Sequence, residues 1–177
     1  MKINEIYKGD CLELMPKHVE DKSIDMIFCD LPYGVTSCKW DEVIPFDKLW
    51  IEYKRVIKDS GVIVLTSSQP FTSALIMSNP KMFKYTWVFK KTLPVGHGYA
   101  KYRPMSNHED VCVFAKGKTT YNPQFTPREK PRKYTRKKAS LSGSSSMTSH
   151  DGETRILNGK YPVTVQEFNT SVQKGKL

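Results

Sequence analysis

Residues 24–34 read Ile24-Asp-Met-Ile-Phe-Cys-Asp30-Leu31-Pro32-Tyr33-Gly34. A short apolar run, entered from a polar linker and broken off at Asp30, is the pattern of a buried parallel strand that opens into a loop. Ligands of open α/β sheets bind beyond the carboxyl ends of the strands. Asp30, Leu31, Pro32 and Tyr33 are therefore expected on the productive edge.

Downstream, Pro45 opens a stretch in which Phe46, Leu49, Trp50, Tyr53, Val56 and Ile57 recur at helical spacing, with Gly61 past its end. The spacing predicts a helix. Gly61–Thr66 reads as the next buried strand. Ser67-Ser68-Gln69-Pro70 supplies a cap and a first-turn proline for a helix through Phe71, Leu75 and Ile76 that stops near Pro80. Tyr85–Phe89 and Asp110–Phe114 read as two further strands. They are joined by a long connection without regular structure, Lys90 to Glu109, holding Pro94, Gly96, Gly98 and Pro104. Upstream, Asp10 precedes an apolar-periodic run and suits a helix cap. Strands alternating with helices imply an α/β domain, which 177 residues accommodate with a modest insertion.

Four residues at one strand end suggest a chemistry. The Asp30 carboxylate and the Leu31 carbonyl, constrained by Pro32, are acceptors, and Tyr33 is a flat face. An exocyclic amine on adenine or cytosine presents two N–H donors and a π surface. Its lone pair is delocalised into the ring, so it is a poor nucleophile. Two acceptors out of the ring plane favour a tetrahedral nitrogen and free the lone pair for attack on an electrophilic methyl. A base inside a duplex must first be flipped out. Stacking on Tyr33 returns about 1–3 kcal/mol of that cost.

Charge is concentrated. Between Lys116 and Lys138 stand nine basic residues (Lys116, Lys118, Arg128, Lys130, Arg132, Lys133, Arg136, Lys137, Lys138) and one acid, Glu129, so this stretch carries eight of the ten net positive charges. With Tyr121, Phe125 and Tyr134 interleaved, it reads as a phosphate-contacting region; the bland alternative is a solvated or disordered tail. Beyond about Thr119 no periodicity is sustained, and Ser140–Ser146 is low in complexity. Trp40, beside Lys39, is expected to face DNA, and Trp50 and Trp87 the core. The four cysteines lack C-x-x-C spacing, so no metal site is read. Cys29 and Cys112, in apolar runs, suit buried thiols in a reducing cytoplasm. No apolar run is long enough to span a membrane, and the first residues form no export signal.

These residues resemble the amino-methyltransferases of DNA, the adenine-N6 and cytosine-N4 enzymes, whose signature is Asp/Asn/Ser-Pro-Pro-Tyr/Phe/Trp at the end of a buried strand. Leu31 departs from that pattern at a position that acts through its carbonyl in the family. Lys8-Gly-Asp10-Cys11-Leu12 is similar to the strand end that contacts the adenine of S-adenosylmethionine. Ser67–Phe71 and Asn107–Val111 fall where later catalytic segments stand. The resemblance covers roughly residues 1–125. It implies a Rossmann-like class I methyltransferase catalytic region over residues 1–115, followed over 116–177 by a basic, irregular target-recognition region and polar tail. It implies S-adenosylmethionine as cofactor, contacted by Asp10, Cys11 and Asp30, and double-stranded DNA as partner, contacted by Lys39, Trp40, Arg128, Lys130, Arg132, Lys133, Arg136, Lys137 and Lys138. The order of motifs matches the group whose cofactor motif comes last.

In that group a Phe-x-Gly-x-Gly strand–turn–helix follows the recognition region, and the chain is expected to stop before it, leaving an incomplete sheet. Gly96-His97-Gly98 is no substitute, because Tyr99–Pro104 is not a helix start. By analogy the first strand then lacks its neighbours, which leaves three alternatives: the sequence is a fragment, the gene is truncated, or a second chain or homo-oligomer completes the fold. Three functions stand: methyl transfer to a DNA amino group, adenine N6 ahead of cytosine N4; an inactive phage or restriction-modification remnant that only binds DNA; and a methyltransferase acting on RNA or protein.

Overall fold

The structure, a computed structural model, describes residues 4–135 and 154–168. Its elements are α1 (Cys11–His18), β1 (Ile24–Asp30), α2 (Phe46–Val56), β2 (Ile57–Ser67), α3 (Phe71–Ser78), β3 (Phe83–Val95), β4 (Ser106–Phe114), β5 (Thr126–Thr135), β6 (Thr154–Lys160) and β7 (Val165–Phe168). Two compact units result: residues 121–163 form one, and the preceding chain with β7 forms the other.

The main sheet has the order β1-β2-β4-β3-β7. β1 pairs parallel with β2, β4 runs antiparallel to both β2 and β3, and β7 pairs parallel with β3. Four strands therefore point one way and only β4 opposes them. β1–α2–β2 is a βαβ crossover of the kind that builds doubly wound sheets. This is a Rossmann-like α/β architecture with an incomplete sheet.

Helix α2 forms as its spacing predicts, and buries Leu49, Trp50, Tyr53 and Val56. Its end differs from expectation. The chain passes directly into β2 at Ile57, and Gly61 lies inside the strand. A Cβ at Gly61 would meet Ile57 Cγ1 at 2.8 Å and the Asp25 carbonyl at 2.9 Å, so glycine permits the close approach of β1 to β2. Arg55 of α2 reaches back to α1. It donates to the Val19 carbonyl (2.8 Å), which lies at the end of the helix, and adds a second bond to the Met15 carbonyl (3.0 Å), which also accepts from the Val19 N–H.

The core lies on one face of the sheet. Leu49, Trp50, Tyr53, Phe71 and Leu75 from the helices meet Ile63, Leu65, Cys112 and Phe114 from the strands, with Leu12 and Met15 of α1 packed against them. Full burial of each such side chain stabilises by about 1.5–3 kcal/mol. Trp50 sits 4.9 Å from Phe114 and donates its indole N–H to Ser78 Oγ at 2.7 Å. Alternation sends Phe28, Val64, Val113 and Tyr85, aligned by register, to the opposite face.

That second face corrects several expectations. β1 is parallel, as read, but it is an edge strand, with Met26 51% and Phe28 66% exposed and Cys29 half-buried. The reason is geometric: among the described residues β1 has one neighbour, and α1, α2 and α3 all bury their apolar sides in the cluster on the other face. Trp87, read as core, lies on this reverse face and is half-buried. The segment read as a first strand, Lys8 to Asp10, is not a strand, and Ile6 is fully exposed. The β3–β4 connection is shorter than expected, because the ladder continues to Lys90↔His108 and Val95↔Ser106. Backbone pairing needs no apolar side chains, so the apolar runs understated both strands. The region beyond Lys116 is not wholly irregular: β5 and β6 pair antiparallel from Thr126↔Lys160 to Thr135↔Thr154. No helix among the described residues is long and apolar enough to cross a membrane.

Candidate active site and basic hairpin

Asp30 closes β1 and is register partner of Thr66, near the end of the parallel neighbour β2. Parallel pairing thus brings together two polar residues far apart in sequence. Asp30 Oδ1 accepts hydrogen bonds from Thr66 Oγ1 and, at 2.7 Å, from the Tyr33 hydroxyl, which also lies 3.0 Å from Thr66 Oγ1. Among the described residues no donor reaches Asp30 Oδ2. Burial, opposed by the bond to Thr66 and reinforced by Asp30, pushes the Tyr33 phenol well above its usual range, so it stays a neutral donor. One face of Tyr33 stacks on Phe71 (centroids 5.1 Å, 29°). A planar ligand stacked on Tyr33 would therefore use its other face. Leu31, which replaces a proline of the resembled signature, is buried in the core cluster, so its side chain serves packing.

The loop after Tyr33 is held by a single carboxylate. Asp41 accepts from the backbone N–H groups of Gly34 (2.9 Å), Val35 (3.0 Å) and Thr36 (2.7 Å). Hydrogen bonds from the Thr36 side chain and these amides hold the Asp41 carboxyl down to about 2. Gly34 has φ +68°, the left-handed region, and a Cβ there would meet Val43 Cγ2 at 2.9 Å. Lys39 and Trp40, expected DNA contacts, stand on this loop, and Trp40 is 74% exposed.

Beside the strand ends lies a cavity of about 710 Å³, walled by Val35, Ser68, Gln69, Pro70, Arg103 and Asp110 among others. Its volume falls in the range of small-molecule sites. A buried hydroxyl chain backs it: Thr72 Oγ1 lies 2.9 Å from Asp110 Oδ2 and 3.0 Å from Ser67 Oγ. Lys91 and Glu109 form an ion pair on the same wall. Sequence reasoning assigned no role to Thr66, Asp41, Thr72 or Lys91, and placed Glu109 and Asp110 only within Asn107–Val111, a segment similar to a later catalytic one. The one available signal was a polar residue directly after each apolar run, as Thr66 follows Val62–Leu65.

Of the residues expected at the cofactor, Asp10 caps α1, accepting from the Leu12 N–H at 2.8 Å. Burial raises the Cys11 thiol, followed by the nearby charges of Asp10 and Cys29. Tyr53 interacts with both thiols. Among the described residues no glycine-rich strand–turn–α-helix occurs, and Gly96–His97–Gly98 opens only a single 3-10 turn, His97–Tyr99.

On the hairpin, Lys130, Arg132 and Lys133 are exposed. Arg128 is partly committed, its Nε donating to the Gly159 carbonyl at 3.0 Å. Phe125 packs edge-on to Tyr161 at 4.6 Å, backed by Gly159, where a Cβ would come within 2.9 Å of Phe125 Cβ. Arg136, Lys137 and Lys138 lie outside the described residues.

The sheet order and the βαβ crossover define the class as a Rossmann-like α/β protein. No protein-family profile matches the chain. It is 27% identical over 134 residues to the Type II methyltransferase M1.MboII of Moraxella bovis, covering 69% of this chain and 50% of that protein. It is 31% identical over 85 residues to the Type II methyltransferase M2.MboI of the same organism, covering 36% of this chain and 31% of that one. Among solved structures, the M1.HpyAVI–SAM complex aligns over 70% of this chain and 60% of that chain, with TM-score 0.45 and 16% identity. The chain is thus similar to these two Type II methyltransferases and spans about half the length of the first and less of the second.

Proposed function

We propose that this chain is the catalytic part of a methyltransferase that transfers a methyl group from S-adenosylmethionine to an exocyclic amino group in double-stranded DNA, adenine N6 ahead of cytosine N4. The observation that carries this reading is the state of Asp30: one oxygen is tied by two hydroxyls, and no donor among the described residues reaches the other. A fixed carboxylate is a preorganised acceptor for an amine N–H. In the proposed reaction Asp30 Oδ2 and the Leu31 carbonyl take the two amine protons as hydrogen-bond acceptors. Pro32 holds the turn, and Tyr33 stacks the displaced base on its open face. S-adenosylmethionine, when bound, supplies the electrophilic methyl. The amine lone pair forms the C–N bond as the C–S bond breaks, and the nitrogen then releases a proton to water. Asp10, Cys11 and Asp30 would hold the cofactor's adenosine side. Adenine is placed first because the resembled signature carries Asp at its first position more often with that base.

DNA is the favoured acceptor because of the hairpin, where Arg128, Lys130, Arg132 and Lys133 cluster and would meet phosphates, with Lys39 and Trp40 adding contacts from the active-site loop. We further propose that a glycine-rich α/β segment, on this polypeptide, a second chain or a second copy, pairs with the free edge of β1 and covers Met26 and Phe28. The reading is tested by incubating the chain with methyl-labelled S-adenosylmethionine and duplex DNA, then digesting to nucleosides. Label in N6-methyladenine supports it in full, and label in N4-methylcytosine corrects the base. Label transferred only to RNA or protein overturns it.

A further inference from the structure

The turn that interrupts β3 and β4, residues 96–105, has no part in the reaction above, and its structure is too well made for a passive link. Gly96 takes φ +95° and starts the 3-10 turn. Four backbone bonds then fold the segment on itself: Tyr99 to Gly96 (3.0 Å), Ala100 to His97 (3.2 Å), Tyr102 to Tyr99 (2.9 Å) and Arg103 to Tyr99 (3.0 Å). Two aromatic rings stand out from it, Tyr99 at 60% and Tyr102 at 87% exposure. The Arg103 guanidinium lies 5.1 Å from the Tyr99 ring centroid, which orients it. Gly96, Arg103 and Pro104 line the same cavity as Val35, the second residue after Tyr33. Lys101 and Arg103 are the charges of the segment, which holds no acid.

Cations beside an exposed ring, one of them held in place, suit an unpaired nucleic-acid strand, with phosphates on the cations and a base on the ring. A free inorganic anion would give Tyr102 nothing to do. We propose that residues 96–105 grip the DNA strand next to the displaced nucleotide, Arg103 and Lys101 on its phosphates and Tyr102 on a neighbouring base. This inference rests on the DNA reading of the site.

Fluorescence anisotropy of the 177-residue chain with a labelled single-stranded oligonucleotide tests it, across a salt series. Arg103→Ala should weaken binding about tenfold and reduce the salt slope by about 0.7. Tyr102→Ala should weaken it about fivefold or more, and Tyr102→Phe should restore it, because the ring and not the hydroxyl is used. Tyr102 is so exposed that its truncation leaves the fold intact. Unchanged affinity in both alanine variants, with binding still lost in an Arg132→Ala/Lys133→Ala variant, overturns the inference and leaves the DNA reading standing. Absence of any DNA binding by the unaltered chain overturns both.

Discussion

Asp30 and Arg132 are both charged and both exposed, yet the structure treats them differently. Asp30 stands at a strand end where Tyr33 and Thr66 fix one of its oxygens and Phe71 backs the tyrosine. Arg132 stands on a two-stranded hairpin and has no ion-pair partner among the described residues. A group meant to meet a transition state is held by its neighbours before the substrate arrives, because reorganisation at that moment would raise the barrier. A group meant to meet phosphates gains from displaced counterions and tolerates looser placement. The two regions should therefore fail in different observables.

The sharpest separation is expected from Asp30→Ala: methyl transfer to DNA should fall by about 10²–10³-fold or more, with the DNA dissociation constant nearly unmoved. Equal loss in both quantities would erase the distinction. Phe71→Ala removes a buried core ring and the support of Tyr33. It should cost about 3–5 kcal/mol in urea unfolding, whereas the hairpin alanine variants should leave that midpoint in place. In the reverse direction, Arg132→Ala/Lys133→Ala should lower the slope of log affinity for duplex DNA against log salt by about 1.8, leaving turnover at saturating DNA unchanged.

A subtler effect concerns the loop that joins the two kinds of contact, since it follows Tyr33 and bears Trp40. The folded Asp41 carboxyl lies at about 2, below its usual 3.8, so its contribution is complete above the higher value and is lost as pH falls towards the lower. Amide exchange at Gly34, Val35 and Thr36 should accelerate across that acid window. Asp41→Asn should abolish the pH step and, at neutral pH, reduce protection of the same amides by about tenfold. A loop unaffected by either change would mean that Gly34 and Val43 alone set its shape.

Much of the site was readable in the chain. The apolar run to Cys29, the break at Asp30 and the helical spacing from Phe46 to Val56 are local patterns, and local patterns survive translation into structure. The strand-end position of Asp30–Tyr33 followed from them. Thr66 was not readable as part of the site, because its place beside Asp30 depends on which strand is the parallel neighbour and in what register. Asp41 was missed for a related reason: its acceptor role depends on the curl of the backbone from Gly34 to Thr36, and no periodicity encodes that.

What the amino-acid sequence determined by itself was the alternation of strands and helices, the acceptor-rich strand end and the cluster of cations, all fixed by short-range spacing and composition. What only the tertiary structure decided was the company those groups keep. Sheet order made β1 an edge among the described residues, and strand alternation turned Met26, Phe28 and Trp87 away from the face that α1, α2 and α3 cover. Parallel register set Thr66 against Asp30, and antiparallel pairing drew part of the basic stretch into a hairpin. Composition cannot specify such pairings, because every backbone offers the same donors and acceptors, and only the packing of the whole selects which strands meet.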